Sequence, residues 1–133
     1  NIDTFKPITE RYLEDHKIHK ENYQINKKDF EFILDAMSSN IDIYCIGTTS
    51  LRAIESAYVT GELSSSTDYF IYPDTKINIP NFLITNFHAP NSSLLSIVDC
   101  IYGSEWKNLY DFAINAELKF LSFGDAVLFN VNE

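Results

Sequence analysis

Apolar positions along the chain change period repeatedly, and each change marks an element. Phe30, Ile33, Leu34 and Met37 recur at i, i+3, i+4, i+7, one helix face, with Asn26 placed to cap it and Lys27, Lys28, Asp29, Glu31 and Asp35 on the wet side. Ahead of it, Ile18 to Ile25 alternates loosely, with Tyr23 and Ile25 on one side, and is predicted as a strand. Behind it, Ile41 to Ile46 is short and rich in β-branched and aromatic residues, a strand that ends at Gly47. Leu51, Ile54 and Tyr58 return to helical spacing until Gly61 stops the run. Asp68 to Tyr72, closed by Pro73, is predicted as another strand, and Ile77 to Ile84 as an extended stretch whose first half Pro80 confines to an edge or entry. Thr85 to Asn91 is polar and predicted as a loop. Helices follow on Leu94, Leu95, Val98 and Ile101, and on Trp106, Leu109, Tyr110 and Ala113, the second capped by Ser104. Ala126 to Val131 is a terminal strand. Pro7 biases Lys6 away from helix, so residues 4–8 read as extended or loop. Strands alternating with helices predict an α/β fold with a mixed, largely parallel sheet covered by helices on both faces. No linker-like stretch interrupts the chain, so it reads as a single domain.

Composition narrows the class. The 133 residues are 45% hydrophobic, enough for one real core without a disulfide or structural metal. No apolar run approaches the ~20 residues of a membrane-spanning helix, and no membrane association is expected. Lys and Arg number 10 against 19 Asp and Glu, a formal charge of −9, which repels phosphate backbones on average. Cys45 and Cys100 lie far apart in apolar surroundings without metal-ligand spacing, as expected of buried reduced thiols in a cytoplasmic protein. The chain opens on Asn1 and not Met, so it is expected to be processed or a piece of something longer.

Several segments offer chemistry. Gly47-Thr48-Thr49-Ser50 joins a strand to a helix, gathering hydroxyls and unpaired N–H groups at a helix N-terminus, where a carboxylate or phosphate would be held. The plainer reading, that Thr49 or Ser50 caps the helix, stands beside it. Arg52 and Glu55, one turn further, read as an ordinary exposed pair. In His16-Lys17-Ile18-His19-Lys20-Glu21, strand geometry would put His19 and Glu21 on one face as base and orienter. Surface histidines beside lysines, or a metal site on His16, His19 and Glu21, are the alternatives, though no third ligand has fixed spacing and no metal is expected. His88 and Asn86 lie in Thr85-Asn86-Phe87-His88-Ala89-Pro90 after a predicted strand, the place where α/β proteins keep their chemistry; a turn in which Asn86 makes an Asx hydrogen bond and His88 serves as a cap is the alternative. Ser122-Phe123-Gly124-Asp125-Ala126 puts a carboxylate in a glycine turn.

In order, Thr4-Phe5-Lys6-Pro7, His16 to Glu21, Gly47 to Arg52 with Glu55-Ser56, Phe70-Ile71-Tyr72-Pro73, Thr85 to Pro90 with Ser92 to Leu95, and Phe120 to Ala126 resemble the S-adenosylmethionine:tRNA ribosyltransferase-isomerases, the QueA family of queuosine biosynthesis. The resemblance covers essentially the whole chain. It implies that residues 1–133 are the C-terminal part of an α/β catalytic domain, a fragment of a larger two-domain protein that also holds a small β-barrel. The implied reaction is transfer and isomerisation of the ribosyl group of S-adenosylmethionine onto 7-aminomethyl-7-deazaguanine at the tRNA wobble position, giving epoxyqueuosine. S-adenosylmethionine is then a consumed substrate and no cofactor is used. The partner tRNA is expected to be contacted mainly by the missing N-terminal part, and this fragment alone is expected to be inactive. By that resemblance His16 or His19 would be the base, Glu21 its orienter, and His88 would act near the nucleoside with Asn86 and Phe87. Gly47, Thr48, Thr49, Ser50 and Arg52 would hold the methionine carboxylate or a phosphate, and Asp125 and Phe123 would face the sulfonium. Asp3, Ile18, Asp74, Ala89, Leu118-Lys119 and Phe123 depart from the family's usual residues. These departures leave an alternative open: a diverged, non-catalytic paralogue that binds a nucleoside-type ligand without turnover.

Overall fold

The computed structural model describes residues 20–69, 71–90 and 92–132. Strand β1 (Glu21–Gln24) leads into helix α1 (Lys27–Ser38), where the Asn26 side chain accepts from the Lys28 N–H, the cap expected there. Strand β2 (Tyr44–Ile46) and helix α2 (Thr48–Thr60) follow, and α2 ends at Gly61 in the left-handed conformation. After β3 (Ser64–Thr67) come β4 (Phe82–Asn86), α3 (Leu95–Tyr102), α4 (Trp106–Asn115) and β5 (Ala126–Asn130). Short 3₁₀ turns occupy Gly103–Glu105 and Leu121–Phe123.

The α/β class and the mixed sheet hold, with two corrections. The main sheet runs β2-β4-β5, parallel between β2 and β4 but antiparallel between β4 and β5, while β1 and β3 form a separate antiparallel pair. Among the described residues the main sheet thus has one parallel and one antiparallel pairing, and the second sheet is antiparallel, so the arrangement is mixed and not largely parallel. Nor are helices found on both faces among the described residues. Cys45, Leu83 and Phe129 are in register and buried under α2 and α3, which pack against these strands. Across the sheet, Tyr44, Ile46 and Leu128 remain 52%, 70% and 55% exposed. The prediction followed from strands alternating with helices, whose crossovers can cover both faces of a sheet; the described residues supply one layer.

Local reading failed in three further places. The strand expected at Asp68 to Tyr72 is displaced to Ser64–Thr67, a hydroxyl-rich segment without apolar alternation. There Thr67 bonds to the Ser56 hydroxyl and accepts from the Tyr69 N–H, which turns the chain out of the ladder. Thr85 and Asn86, expected in a loop, complete β4, because pairing to Val127 and Ala126 extends it past the apolar run. Ser104 does not cap α4: it lies within the 3₁₀ turn, and the helix begins without a side-chain cap. The core gathers Leu51, Ile71, Leu83, Phe87, Ile97 and Val98 between the sheet and α2 and α3.

Candidate functional site

Gly47 sets the geometry of the site. It ends β2 at φ 86° and ψ 147°, a region open essentially to glycine alone, and its N–H donates to the Ile84 carbonyl at 2.8 Å. The chain can therefore leave the sheet and enter α2 within one residue. No side chain caps that helix, so the N–H groups of its first turn lack helical acceptors and point outward with the positive end of the helix dipole. Thr48 is buried; Thr49 and Ser50 are exposed.

These residues form one side of a cleft of about 620 Å³ beyond the C-terminal ends of the two parallel strands, the customary ligand position in open α/β sheets. Ile46, Ile84, Leu94, Leu121 and Ala126 give it apolar walls, and Thr85, Asn86, His88 and Ser122 add polar groups. Among the described residues no lining side chain is charged. Hydroxyls, an amide, an imidazole and backbone N–H groups are the available chemistry.

His88 is held from two sides. Its backbone N–H donates to the Tyr110 hydroxyl at 3.0 Å, and its Nε2 shares a hydrogen bond of 3.1 Å with the Thr85 hydroxyl. Tyr110 is itself fixed edge-on to Phe87, Trp106 and Phe120. Burial lowers the imidazole pKa from 6.5 to about 4. The ring is thus neutral at physiological pH, suited to exchanging hydrogen bonds, whereas a protonated general acid there would be rare.

The opposite wall is the Leu121–Ser122 turn. The Leu121 N–H donates to the Phe87 carbonyl at 2.9 Å, and Leu121 takes a positive φ of 65°. Asp125 closes the turn: its carboxylate accepts from the Lys119 N–H at 2.8 Å, and its own N–H donates to the Lys119 carbonyl at 2.8 Å. The backbone pass is so close that a Cβ on Gly124 would lie 2.1 Å from the Lys119 oxygen. Asn86 Nδ2 donates to the Asp125 carbonyl at 3.2 Å, joining this wall to the end of β4.

Of the residues singled out in the sequence, Gly47, Thr48, Thr49, Ser50, Asn86 and His88 meet in the cleft. Arg52, Glu21, Phe87 and Asp125 do not line it. Arg52 is buried, with Nη1 3.0 Å from Glu21 Oε2 and Nε donating to the Tyr69 carbonyl. Burial lowers its pKa, opposed by the Glu21 and Asp68 charges. Glu55, expected beside it as an exposed partner, is fully buried and accepts instead from the Asn78 and Ile79 N–H groups. Phe87 packs on Tyr110 and Phe120 in the core, and Asp125 serves the turn. His16 and His19 lie outside the described residues, as does the Phe123 side chain. The metal set that would include those histidines is therefore not described; among the described residues no group of three or more His, Cys, Asp or Glu is placed to hold an ion. Cys45 and Cys100 are both free thiols, the first buried and the second half-buried, and burial raises each pKa, that of Cys45 to about 11. No described helix is long and apolar enough to cross a membrane.

Sequence reading quoted Thr85, Leu121 and Ser122 only within motifs and Tyr110 only in a helical stripe, and singled out none of them as a site residue. Tyr110 had a usable signal: a phenol within an apolar helical stripe needs a partner for its hydroxyl.

Residues 1–129 match the family model described as queuosine biosynthesis protein. The S-adenosylmethionine:tRNA ribosyltransferase-isomerase of Lachnoclostridium phytofermentans is 39% identical over 137 residues, covering 98% of this chain and 37% of the relative. That of Carboxydothermus hydrogenoformans is 37% identical over 131 residues, covering 96% of this chain and 39% of the relative. The crystal structure of S-adenosylmethionine tRNA ribosyltransferase from Thermotoga maritima matches with a TM-score of 0.74 at 33% identity, over 84% of this chain and 41% of that one. The chain thus spans less than two fifths of the curated relatives' length.

Proposed function

The chain belongs to the queuosine biosynthesis protein family, and on that premise we propose that it is the C-terminal part of the catalytic domain of an S-adenosylmethionine:tRNA ribosyltransferase-isomerase. Its reaction moves the ribosyl group of S-adenosylmethionine onto 7-aminomethyl-7-deazaguanine at the tRNA wobble position and rearranges it to epoxyqueuosine, releasing adenine and methionine. S-adenosylmethionine is consumed, and no cofactor takes part. The observation that carries this reading is the family match across residues 1–129; the uncharged cleft at the strand ends is compatible with it.

Each residue's proposed role follows from its chemistry. The first-turn N–H groups of Thr48, Thr49 and Ser50, with the exposed hydroxyls of the last two, hold the methionine carboxylate or a phosphate. Asn86 and neutral His88 hydrogen-bond the nucleoside. His16 or His19 removes the ribose proton made acidic by the sulfonium. Glu21, two residues after His19 in sequence, orients that base, and its ion pair with Arg52 is its own anchor to α2. Arg52 acts through this anchor and not on the ligand. Phe123 offers its ring to the sulfonium. The fold works in the cytoplasm, with tRNA contacted mainly by the part of the family's polypeptide that this chain does not match.

Adenine release from S-adenosylmethionine tests the proposal, measured with precursor tRNA on this chain joined to the rest of the family's polypeptide. Release that stops with Ser50→Glu, which places a carboxylate where one should bind, is the expected result. Binding of S-adenosylmethionine without adenine release would favour the non-catalytic paralogue.

A further inference from the structure

We propose that Thr85 is a positioning residue: its hydroxyl fixes the His88 imidazole with the proton on Nδ1, so that His88 offers the nucleoside a hydrogen-bond donor and no base. The inference rests on the family reading above and deepens it, because it says which kind of ligand atom His88 takes.

Thr85 stands where β4 should carry an apolar side chain. Leu83, two residues earlier on the same face, is fully buried, and Thr85 is itself only 6% exposed. A hydroxyl there has one proton to place. Among the described residues its side-chain partner is His88 Nε2, 3.1 Å away, and it has no other. Were Nε2 the donor, the buried Thr85 proton would be left without an acceptor, which folded proteins avoid. The hydroxyl therefore donates, Nε2 accepts, and the ring proton sits on Nδ1.

The backbone around the ring is tied on both sides. The His88 N–H donates to the Tyr110 hydroxyl, and the Phe87 carbonyl accepts from the Leu121 N–H. Nδ1 bonds to no described residue, yet among the described residues the buried side-chain atoms without a partner are Arg52 Nη2 and Ser92 Oγ. Nδ1 is thus the open nitrogen of a ring that lines the cleft. Burial keeps that ring neutral at physiological pH, so it does not carry both protons. One lone pair is committed to Thr85 and the other nitrogen is protonated, which leaves nothing to accept the ribose proton. His88 takes a neutral acceptor atom of the nucleoside instead, and the base is another group.

Proton–nitrogen correlation spectra of isotope-labelled histidine, recorded on the 133-residue chain at about pH 7.5, read the tautomer directly, with His88→Gln identifying the signal. Protonated Nδ1 and bare Nε2 are expected. Thr85→Val keeps the shape and loses the hydroxyl, so the ring should move to the Nε2–H form or a mixture. Thr85→Ser should keep the parent pattern. In this chain joined to the rest of the family's polypeptide, Thr85→Val should weaken S-adenosylmethionine and adenosine alike by about tenfold, because the donor is no longer fixed. A parent ring protonated on Nε2, a tautomer that Thr85→Val leaves unmoved, equal binding by parent and variant, or a loss confined to S-adenosylmethionine would each overturn the proposal. The parent spectrum needs no variant and decides the tautomer even where Thr85→Val does not fold. It also needs no ligand. An Nδ1–H ring in a protein that releases no adenine would reject the activity and leave the role of Thr85 standing; adenine release with an Nε2–H ring would do the reverse.

Discussion

His88 is the residue whose chemistry the fold alters most. With its folded pKa near 4, below the ordinary 6.5, the unfolded chain binds the proton more tightly. Its contribution is complete above about pH 6.5 and is lost as pH falls toward 4, amounting to roughly 2 kcal/mol by pH 5. Urea unfolding at about pH 7.5 and pH 5 should show that loss in the parent chain, and His88→Gln should remove this part of the slope while leaving that of the carboxylates. Equal slopes in the two proteins would mean that His88 is solvated. Gly124 makes a second demand at this scale. Its φ is ordinary, so the constraint is contact alone: a methyl group would meet the Lys119 carbonyl oxygen at 2.1 Å. Gly124→Ala should cost about 1–3 kcal/mol by thermal denaturation and displace the Leu121–Ser122 wall. An unchanged melting temperature would show that the turn relaxes freely.

Helix α2 is the element on which the arrangement turns, because it supplies the cleft's N–H groups at one end and two buried charges in its body. Arg52 reaches Glu21 on β1, and Glu55 accepts from the backbone of Asn78 and Ile79. Arg52→Met should cost about 3–5 kcal/mol, because it removes the buried cation that bonds both Glu21 and the Tyr69 carbonyl. Glu55→Gln turns one acceptor into a donor facing N–H groups and should cost roughly 2–3 kcal/mol. Both are read as urea midpoints; near-neutral values would show the charges to be solvated in the native state. These two residues also show where sequence reading stops. Helical periodicity and Gly61 mark α2 correctly, and Gly47 marks the turn, because those signals are local. The partners of Arg52 and Glu55 are 31 and 23 residues away, so the pair looked like an exposed i, i+3 couple. Ser64–Thr67 was invisible for the same reason: its ladder to β1 is long-range and its side chains carry no apolar period. The cleft was half legible. Glycine and hydroxyl turns at strand ends are readable, whereas the bond from the His88 N–H to the Tyr110 hydroxyl depends on how α4 meets the end of β4.

Charge sets what the whole molecule can do with RNA. Binding to a phosphate backbone is driven largely by displaced counterions, which requires clustered Lys or Arg. Here 10 basic residues face 19 acidic ones, Arg52 is committed to Glu21, and among the described residues the cleft lining carries no cation. Under the proposed function, such a cleft would take the nucleoside by shape and hydrogen bonds and contribute little to holding the rest of a tRNA. Filter binding at about 0.15 M salt should give a tRNA Kd no tighter than roughly 100 µM for this chain alone, with a log–log salt slope smaller than about 2. Adding the rest of the family's polypeptide should tighten binding and steepen that slope together, because both report the same phosphate contacts. Micromolar, strongly salt-dependent binding by the 133 residues alone would show that their few cations form a phosphate-binding surface despite the net charge of −9. The division of labour, chemistry at these strand ends and RNA affinity elsewhere, would then have to be abandoned.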